Sequence, residues 1–324
     1  MQRLDLANPY GAPVYRLASV SSTMDEARNL AAAAAPHGTV ICADFQTRGR
    51  GRTGGRLWLG EAGESLFFTV LFRYGSFAAI PPALTLRTGL ALSLAVEAFA
   101  PALTGMPRIK WPNDLMVRFP GGARKIAGIL TESDGSAVFI GIGVNVAQTG
   151  FPEPIRHRAA SIAQALASLA EAPVSAAPPS AADTPVPPSA GAARRDTPVP
   201  PQILSPESRF TLLKHILARL HRELEEDGTD RGAGRCDAGP DGNTWRGPLE
   251  DRLYLKGERV RFIPGGTDSG QIVEGILQGM GPEGELLILP PGAAGPLAFV
   301  TGELDVYGTE EPSARASFPS AADN

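Results

Sequence analysis

Strand-like and helix-like spacings of apolar residues alternate through the first two-thirds of the chain. TVICADF (39–45) and SLFFTVLF (65–72) are apolar runs of strand length, the pattern of buried strands. RIKWPNDLMV (108–117) reads as a strand broken at Pro112 and resumed as a second short strand. RKIAGILTES (124–133) and AVFIGIGVNV (137–146) read as paired strands around a turn at Asp134-Gly135, with an earlier turn at Gly121-Gly122. Residues 1–14 read as a lead-in. Helical patterns intervene. One opens at Ser21-Ser22-Thr23, where Thr23 with Glu26, or Ser22 with Asp25, makes a capping box, and it ends at Pro36 and Gly38. ALTLRTGLALSLAVEAFA (83–100) is apolar almost all round, which predicts a buried helix. A third opens with Ser205 and Pro206 and carries Phe210, Leu213, Leu217, Leu220 and Leu224 as one stripe.

Regular patterning fails in three stretches. Residues 172–201 are dominated by proline and alanine and repeat DTPVPP at 183–188 and 196–201. Such a segment cannot bury enough apolar surface to order itself. The striped helix after it needs the core of the preceding region, so 172–201 reads as a disordered insertion and not as a boundary. Residues 228–248 are rich in Gly and Asp, and the tail after Tyr307 is polar. Between them, Leu253 to Val306 alternates short strands with Gly-Pro turns, the pattern of a small antiparallel barrel. The expected fold class is α+β, a mixed β-sheet with helices packed on one face, followed by that small C-terminal β-barrel. The expected division is 1–245, 246–308 and a disordered tail at 309–324. A chain of 324 residues suits one large domain and one small one.

Charge and cysteines narrow the function classes. The net charge of −4 argues against bulk nucleic-acid binding by a basic surface. Cys42 and Cys236 offer neither zinc spacing nor a disulfide framework, and Cys42 falls in a predicted buried strand. The N-terminus lacks an apolar signal core, and no apolar stretch of membrane-span length runs uninterrupted by charge or proline, so a cytoplasmic protein is expected.

Local chemistry concentrates in QTRGRGRTGGRLW (46–58), where Arg48, Arg50, Arg52 and Arg56 alternate with Gly49, Gly51, Gly54 and Gly55. Like-charge repulsion and glycine entropy both oppose order here. An anion filling the loop reverses that balance, because glycine lets backbone N–H groups approach and each guanidinium presents a fork of donors. Phosphate is the natural guest. The spacing is not that of a P-loop or a dinucleotide fingerprint. An RGG-type RNA-binding segment would carry low complexity on both sides, whereas this loop is clamped between two strands. Without ligand, residues 48–56 have no evident counter-anion and are expected to be mobile and to order on binding.

Two lysines sit in apolar strand contexts, Lys110 beside Trp111-Pro112-Asn113-Asp114 and Lys125 at the start of its strand. Each reads either as a snorkelling side chain or as a site cation. Gly128, Gly141 and Gly143 lie inside strands, where glycine weakens a sheet unless something approaches closely. A ligand on the sheet face and tight helix packing both explain them. No Ser-His-Asp or Cys-His constellation is present.

Together these landmarks resemble the biotin protein ligases. Five stretches carry the resemblance, in family order: SSTMDEA (21–27), FQTRGRGRTGGRLW (45–58), KWPNDLMV (110–117), RKIAGIL (124–130) and GIGVNV (141–146). It runs from about Val14 to Tyr307, the insertion excepted, and implies a class II synthetase-like catalytic domain. The implied reaction joins biotin to ATP, giving biotinyl-5′-AMP and pyrophosphate, then passes biotin to a lysine of a biotin carboxyl carrier protein. Mg²⁺ is the implied metal, with its ligands unassigned and Asp114 the conceivable one. The resemblance assigns Lys110, Arg50 and Arg52 as catalytic. It assigns Ser22, Thr23, Met24, Gln46, Gly51, Gly128, Gly141 and Gly143, with those three, to biotin. Arg52, Arg56, Trp58, Lys110 and Lys125 are assigned to ATP. The family's N-terminal DNA-binding domain is missing, which implies no DNA binding, and homodimerisation stays open. Two departures stand out: Met24 replaces the family's Asn, and one extra residue falls near Gly54-Gly55. A lipoate-protein ligase or octanoyltransferase of the same architecture is the nearest rival reading, and an RGG-type RNA-binding module the rival of another class.

Overall fold

The computed structural model describes residues 1–52, 57–58, 60–135, 137–171, 204–205, 207–225, 245–265 and 271–306. The insertion at 172–201, the stretch 228–244, the tail at 309–324, Gly54, Gly55, Arg56, Pro206 and Cys236 lie outside them.

In chain order the strands are β1 (Gln2–Leu4), β2 (Val14–Val20), β3 (Thr39–Gln46), β4 (Gly49–Arg50), β5 (Leu57–Trp58), β6 (Ser65–Arg73), β7 (Arg108–Lys110), β8 (Asp114–Phe119), β9 (Gly122–Asp134), β10 (Ala137–Asn145), β11 (Arg259–Pro264), β12 (Val273–Met280), β13 (Leu286–Leu289), β14 (Leu297–Phe299) and β15 (Gly302–Leu304). The helices are α1 (Thr23–Ala32), α2 (Leu84–Phe99), α3 (Glu153–Arg156), α4 (Ile162–Glu171), α5 (Ser208–Leu224) and α6 (Arg246–Glu250). An eight-stranded sheet runs β1-β2-β3-β6-β10-β9-β8-β7. Only its β2–β3 pair is parallel, so the sheet is mixed. The C-terminal β unit is a five-stranded antiparallel sheet ordered β14-β13-β12-β11-β15. The β4–β5 pair forms a ribbon of its own.

Alternation along the strands divides the core between two faces. Val40 and Cys42 of β3, and Val138 and Ile140 of β10, join α2, α4 and α5 in the main cluster. Ile41 and Phe139, one position over, point the other way and meet Met24 and Ala27 of α1. The helices expected on one face are therefore α2, α4 and α5, while α1 covers part of the opposite face. It does so because Ser22 starts it there: its backbone is extended and its Oγ accepts from the Met24 N–H at 3.3 Å. Ala34, at φ 59, carries the chain out of helix before Pro36. On the other face α5 buries Leu212, Leu213, Ile216, Leu217 and Leu220 against α2. Residues 77–99 have the length and hydropathy of a membrane span, but 56% of an 18-residue apolar window within them is buried, as in a core helix.

The C-terminal sheet docks on the KWPND segment. The Trp111 Nε1–H donates to the Gly284 carbonyl at 3.0 Å, and the Trp111 ring lies 5.8 Å from Phe262 of β11. A cis Trp111–Pro112 bond turns the chain between β7 and β8.

Away from that junction, His37 ties the entry of β3 to the end of α5. Its Nε2 is 3.3 Å from Glu225 Oε1, and that hydrogen bond holds the imidazole above its ordinary value of 6.5. The same bond holds Glu225 below its ordinary 4.5. A raised histidine stabilises the fold fully below 6.5 and loses that contribution as pH rises through its folded value. A lowered carboxylate stabilises above 4.5 and loses it as pH falls. The pair therefore contributes most between these two limits. Thermal melts across pH 4.5 to 8.5 are expected to show the largest gap between wild type and His37→Gln in that acidic window, with the gap closing above neutrality.

Candidate functional site

Two glycines set the floor of a small cavity. Gly128 of β9 lies directly opposite Gly143 of β10, so both leave the same face bare. A Cβ at Gly128 would stand 2.7 Å from Cζ3 of Trp58, and one at Gly143 2.7 Å from its Cε2. The indole thus rests flat on the space the missing side chains leave. Gly141, two residues along β10, makes the same room for α1: a Cβ there would meet Met24 Sδ at 2.8 Å. Helix packing, one of the two explanations left open by the sequence, accounts for Gly141, while over Gly128 and Gly143 lies a side chain of the chain itself, Trp58.

One end of the cavity is polar. The Thr23 N–H and Oγ1–H donate to Gln46 Oε1 at 2.8 and 3.2 Å, and the Thr69 hydroxyl donates to Thr23 Oγ1 at 2.9 Å. This fixes the Gln46 carboxamide with its NH₂ turned away from Thr23, available for a ligand carbonyl. Ser22 and Thr23 are buried, and Ser22 does more than await a ligand, since it caps α1.

Cations line the other side. Lys125 Nζ lies 2.6 Å from Asp114 Oδ1 and 5.0 Å from the Trp58 ring centroid. Arg50 pairs with Asp25, in the first turn of α1, at 2.8 Å. Arg52 donates to the Gly302 carbonyl of β15 at 2.8 Å. The loop's charge thus has partners within the chain at these two positions, contrary to the expectation of an unmatched cationic loop.

A cavity of about 60 Å³ remains among Ser22, Thr23, Met24, Gln46, Arg50, Gly51, Arg52, Trp58, Lys125, Gly128, Gly141 and Gly143. Every described residue assigned to the site from sequence lines it except Lys110. Asn113, Ile129, Leu130 and Ile142 complete the wall and were not singled out individually. Asn113 had a signal in its WPND context. It bridges strands, its Nδ2 donating to the Ile129 carbonyl at 2.8 Å while its own carbonyl accepts from the Ile129 N–H at 2.9 Å.

Lys110 is displaced for a topological reason. Gly143, Gly128, Asp114 and Lys110 face one another in a row across β10, β9, β8 and β7. Lys110 therefore stands two strands beyond the glycine floor, about 10 Å away. There it is 5% exposed, with Glu303 of β15 at 3.9 Å. Lys125 places its amine on the cavity wall. Lys125 and Gly128 would fall on opposite faces of a regular strand, but the β8–β9 register shifts so that Ile126 is the extra residue. The bulge brings Lys125 Nζ to 2.8 Å from where a Gly128 Cβ would be.

Residues 17–146 match the family model described as "Biotin/lipoate A/B protein ligase family". That stretch is similar in sequence to the family, and the fold is that of the biotin protein ligases. In particular, the chain is similar to the biotin protein ligase from Aquifex aeolicus in complex with biotin and ATP. Their TM-score is 0.56 at 23% identity, over 90% of this chain and 97% of that one. It is 37% identical over 153 residues to the bifunctional ligase/repressor BirA of Bacillus spizizenii, covering 45% of each chain. It is likewise 37% identical over 149 residues to the biotin–[acetyl-CoA-carboxylase] ligase of Mycobacterium tuberculosis, covering 44% of this chain and 51% of that protein. The chain spans about half the length of the curated relatives it matches.

Because Lys110 pairs with Glu303 in a buried junction, its loss acts first on stability. Lys110→Ala is expected to lower unfolding free energy by about 1–3 kcal/mol, because it removes the polar interactions of a buried ammonium. Urea unfolding of the variant against wild type measures it.

Proposed function

We propose that this chain is an ATP-dependent biotin–protein ligase. The observation that carries the reading is one cavity with a floor of paired glycines under the Trp58 ring, a hydrogen-bonding end and a cationic side. A biotin-like ligand needs all three: a flat wall for its bicyclic ring, donors and acceptors for a ureido group, and positive charge for its carboxylate. The match of residues 17–146 to the biotin/lipoate family and the likeness to a ligase holding biotin and ATP support the same reading.

The chemistry divides into two steps. In the first, the biotin carboxylate oxygen attacks the α-phosphorus of ATP and pyrophosphate leaves. Two anions must approach, so preorganised positive groups supply most of what a protein can contribute. Lys125 takes the central position, its ammonium being the one described lysine amine on the cavity wall. Arg50 and Arg52 exchange Asp25 and the Gly302 carbonyl for phosphate oxygens, which are better partners for a planar fork of donors. Ser22, Thr23 and Gln46 hold the ureido ring. In the second step a carrier lysine attacks the acyl carbon of the mixed anhydride, and AMP departs with the bonding pair.

Three further points belong to the reading. Among the described residues no group of three or more His, Cys, Asp or Glu side chains could hold a metal ion, and Asp114 is already paired with Lys125. Mg²⁺ fits such a site on the nucleotide's phosphates, without a protein cage. The carrier is a biotin carboxyl carrier domain, and the protein acts in the cytoplasm. Residues 1–245 form the catalytic domain and 246–308 a small domain docked on it.

Lys125→Ala is expected to keep the wild-type circular dichroism spectrum and lose about two to three orders of magnitude in the rate of biotinyl-adenylate formation. Single-turnover assays with labelled ATP measure this. Mass spectrometry of a carrier domain incubated with enzyme, biotin and ATP tests the overall function. A carrier unmodified by wild type, with lipoate added as the alternative acid and incorporated instead, overturns it.

A further inference from the structure

We propose that Trp58 is a built-in competitor for the ligand seat. Without ligand its indole occupies the Gly128–Gly143 floor, and entry of the ligand ring requires its withdrawal. The inference rests on the biotin-site reading above and goes beyond it, because it assigns the ligand-free chain a closed state.

Space gives the first argument. The indole carbons lie 2.7 Å from where Cβ atoms at Gly128 and Gly143 would be, which leaves no layer between ring and sheet. The remaining cavity is about 60 Å³. Small-molecule sites are about 300 Å³ or larger. A bicyclic ligand and this indole cannot share the floor, whereas removal of the indole opens it.

The contacts that hold the ring are of a kind that reverses readily. Trp58 Nε1 is buried with no hydrogen-bond partner among the described residues, an arrangement that costs free energy as long as the ring stays in. Lys125 sits over the ring at 5.0 Å, but the same ammonium has a better partner in an entering carboxylate or phosphate. The backbone of Trp58 belongs to neither large sheet. Among the described residues it pairs only with the arginine loop, Gly49 opposite Trp58 and Arg50 opposite Leu57. Moving the indole out therefore breaks no strand pairing of the main sheet. It does move the ribbon that carries Arg50, so the ring's exit and the release of Arg50 from Asp25 are one motion.

A population argument fixes the sign of the effect. If the plugged state dominates, apparent affinity is the intrinsic affinity reduced by the open fraction. Taking the plug away then tightens binding even though it removes a side chain from the site.

The test is calorimetric titration of biotin, without nucleotide, into wild type, Trp58→Ala and Trp58→Phe. Trp58→Ala is expected to bind about tenfold tighter than wild type, with Trp58→Phe between them. Tryptophan emission gives a second readout, since Trp111 and Trp245 are buried at 2% and 4% exposure away from the cavity. Biotin should change the emission of wild type and leave that of Trp58→Phe unchanged. A wild type that binds biotin, with both variants binding equally or more weakly, overturns the plug and leaves the ligase reading standing. A wild type that binds no biotin overturns the plug together with the reading beneath it.

Discussion

Everything at this site depends on two side chains that are absent. Gly128 and Gly143 face each other across adjacent strands, and with no Cβ on either the sheet presents bare backbone wide enough for a flat ring. Glycine costs strand stability, so the pair is tolerated inside a sheet only where a neighbour covers it. Trp58 covers it in the ligand-free chain, and the proposed ligand covers it in turn. The surrounding chemistry is arranged around this patch: Lys125 from the same strand, Thr23 and Gln46 from the next elements along the face, and Arg50 from the ribbon above.

The row that continues beyond the glycines explains the division of labour in the KWPND segment. Asp114 holds Lys125, Asn113 ties β8 to β9, and Lys110 and Trp111 face the C-terminal sheet. One short stretch therefore serves both as a wall of the cavity and as the docking post for the smaller sheet. Arg52 adds a second connection, reaching β15 from the arginine loop. The smaller sheet consequently touches the arginine loop, whose guanidiniums are proposed to turn to phosphate.

Much of this was legible in the sequence, and what was not has a physical reason. Apolar runs located the central strands because both their faces are buried. Glycines inside strands and arginines spaced by glycine each violate a local preference, and Ser22-Thr23 satisfy one as a helix cap; Gly128, Gly141, Gly143, Arg50, Arg52, Ser22 and Thr23 all lie on the cavity wall. The two lysines could not be ranked in the same way. Lys110 and Lys125 have similar apolar neighbours, and only cross-strand register and the bulge at Ile126 decide that Lys125 reaches the cavity. The partners of Arg50 and Arg52 were equally hidden, being residues distant in sequence. The placement of α1 on the opposite face from α2 and α5 depends on which alternate positions of β3 and β10 meet it. A run apolar on both faces does not encode that choice.

The central claim is that this cavity joins a biotin carboxylate to the α-phosphate of ATP. Isotope exchange between pyrophosphate and ATP measures that step alone, with no carrier protein present. The account predicts exchange that depends on biotin and is absent with lipoate. Exchange driven by lipoate and indifferent to biotin would contradict it.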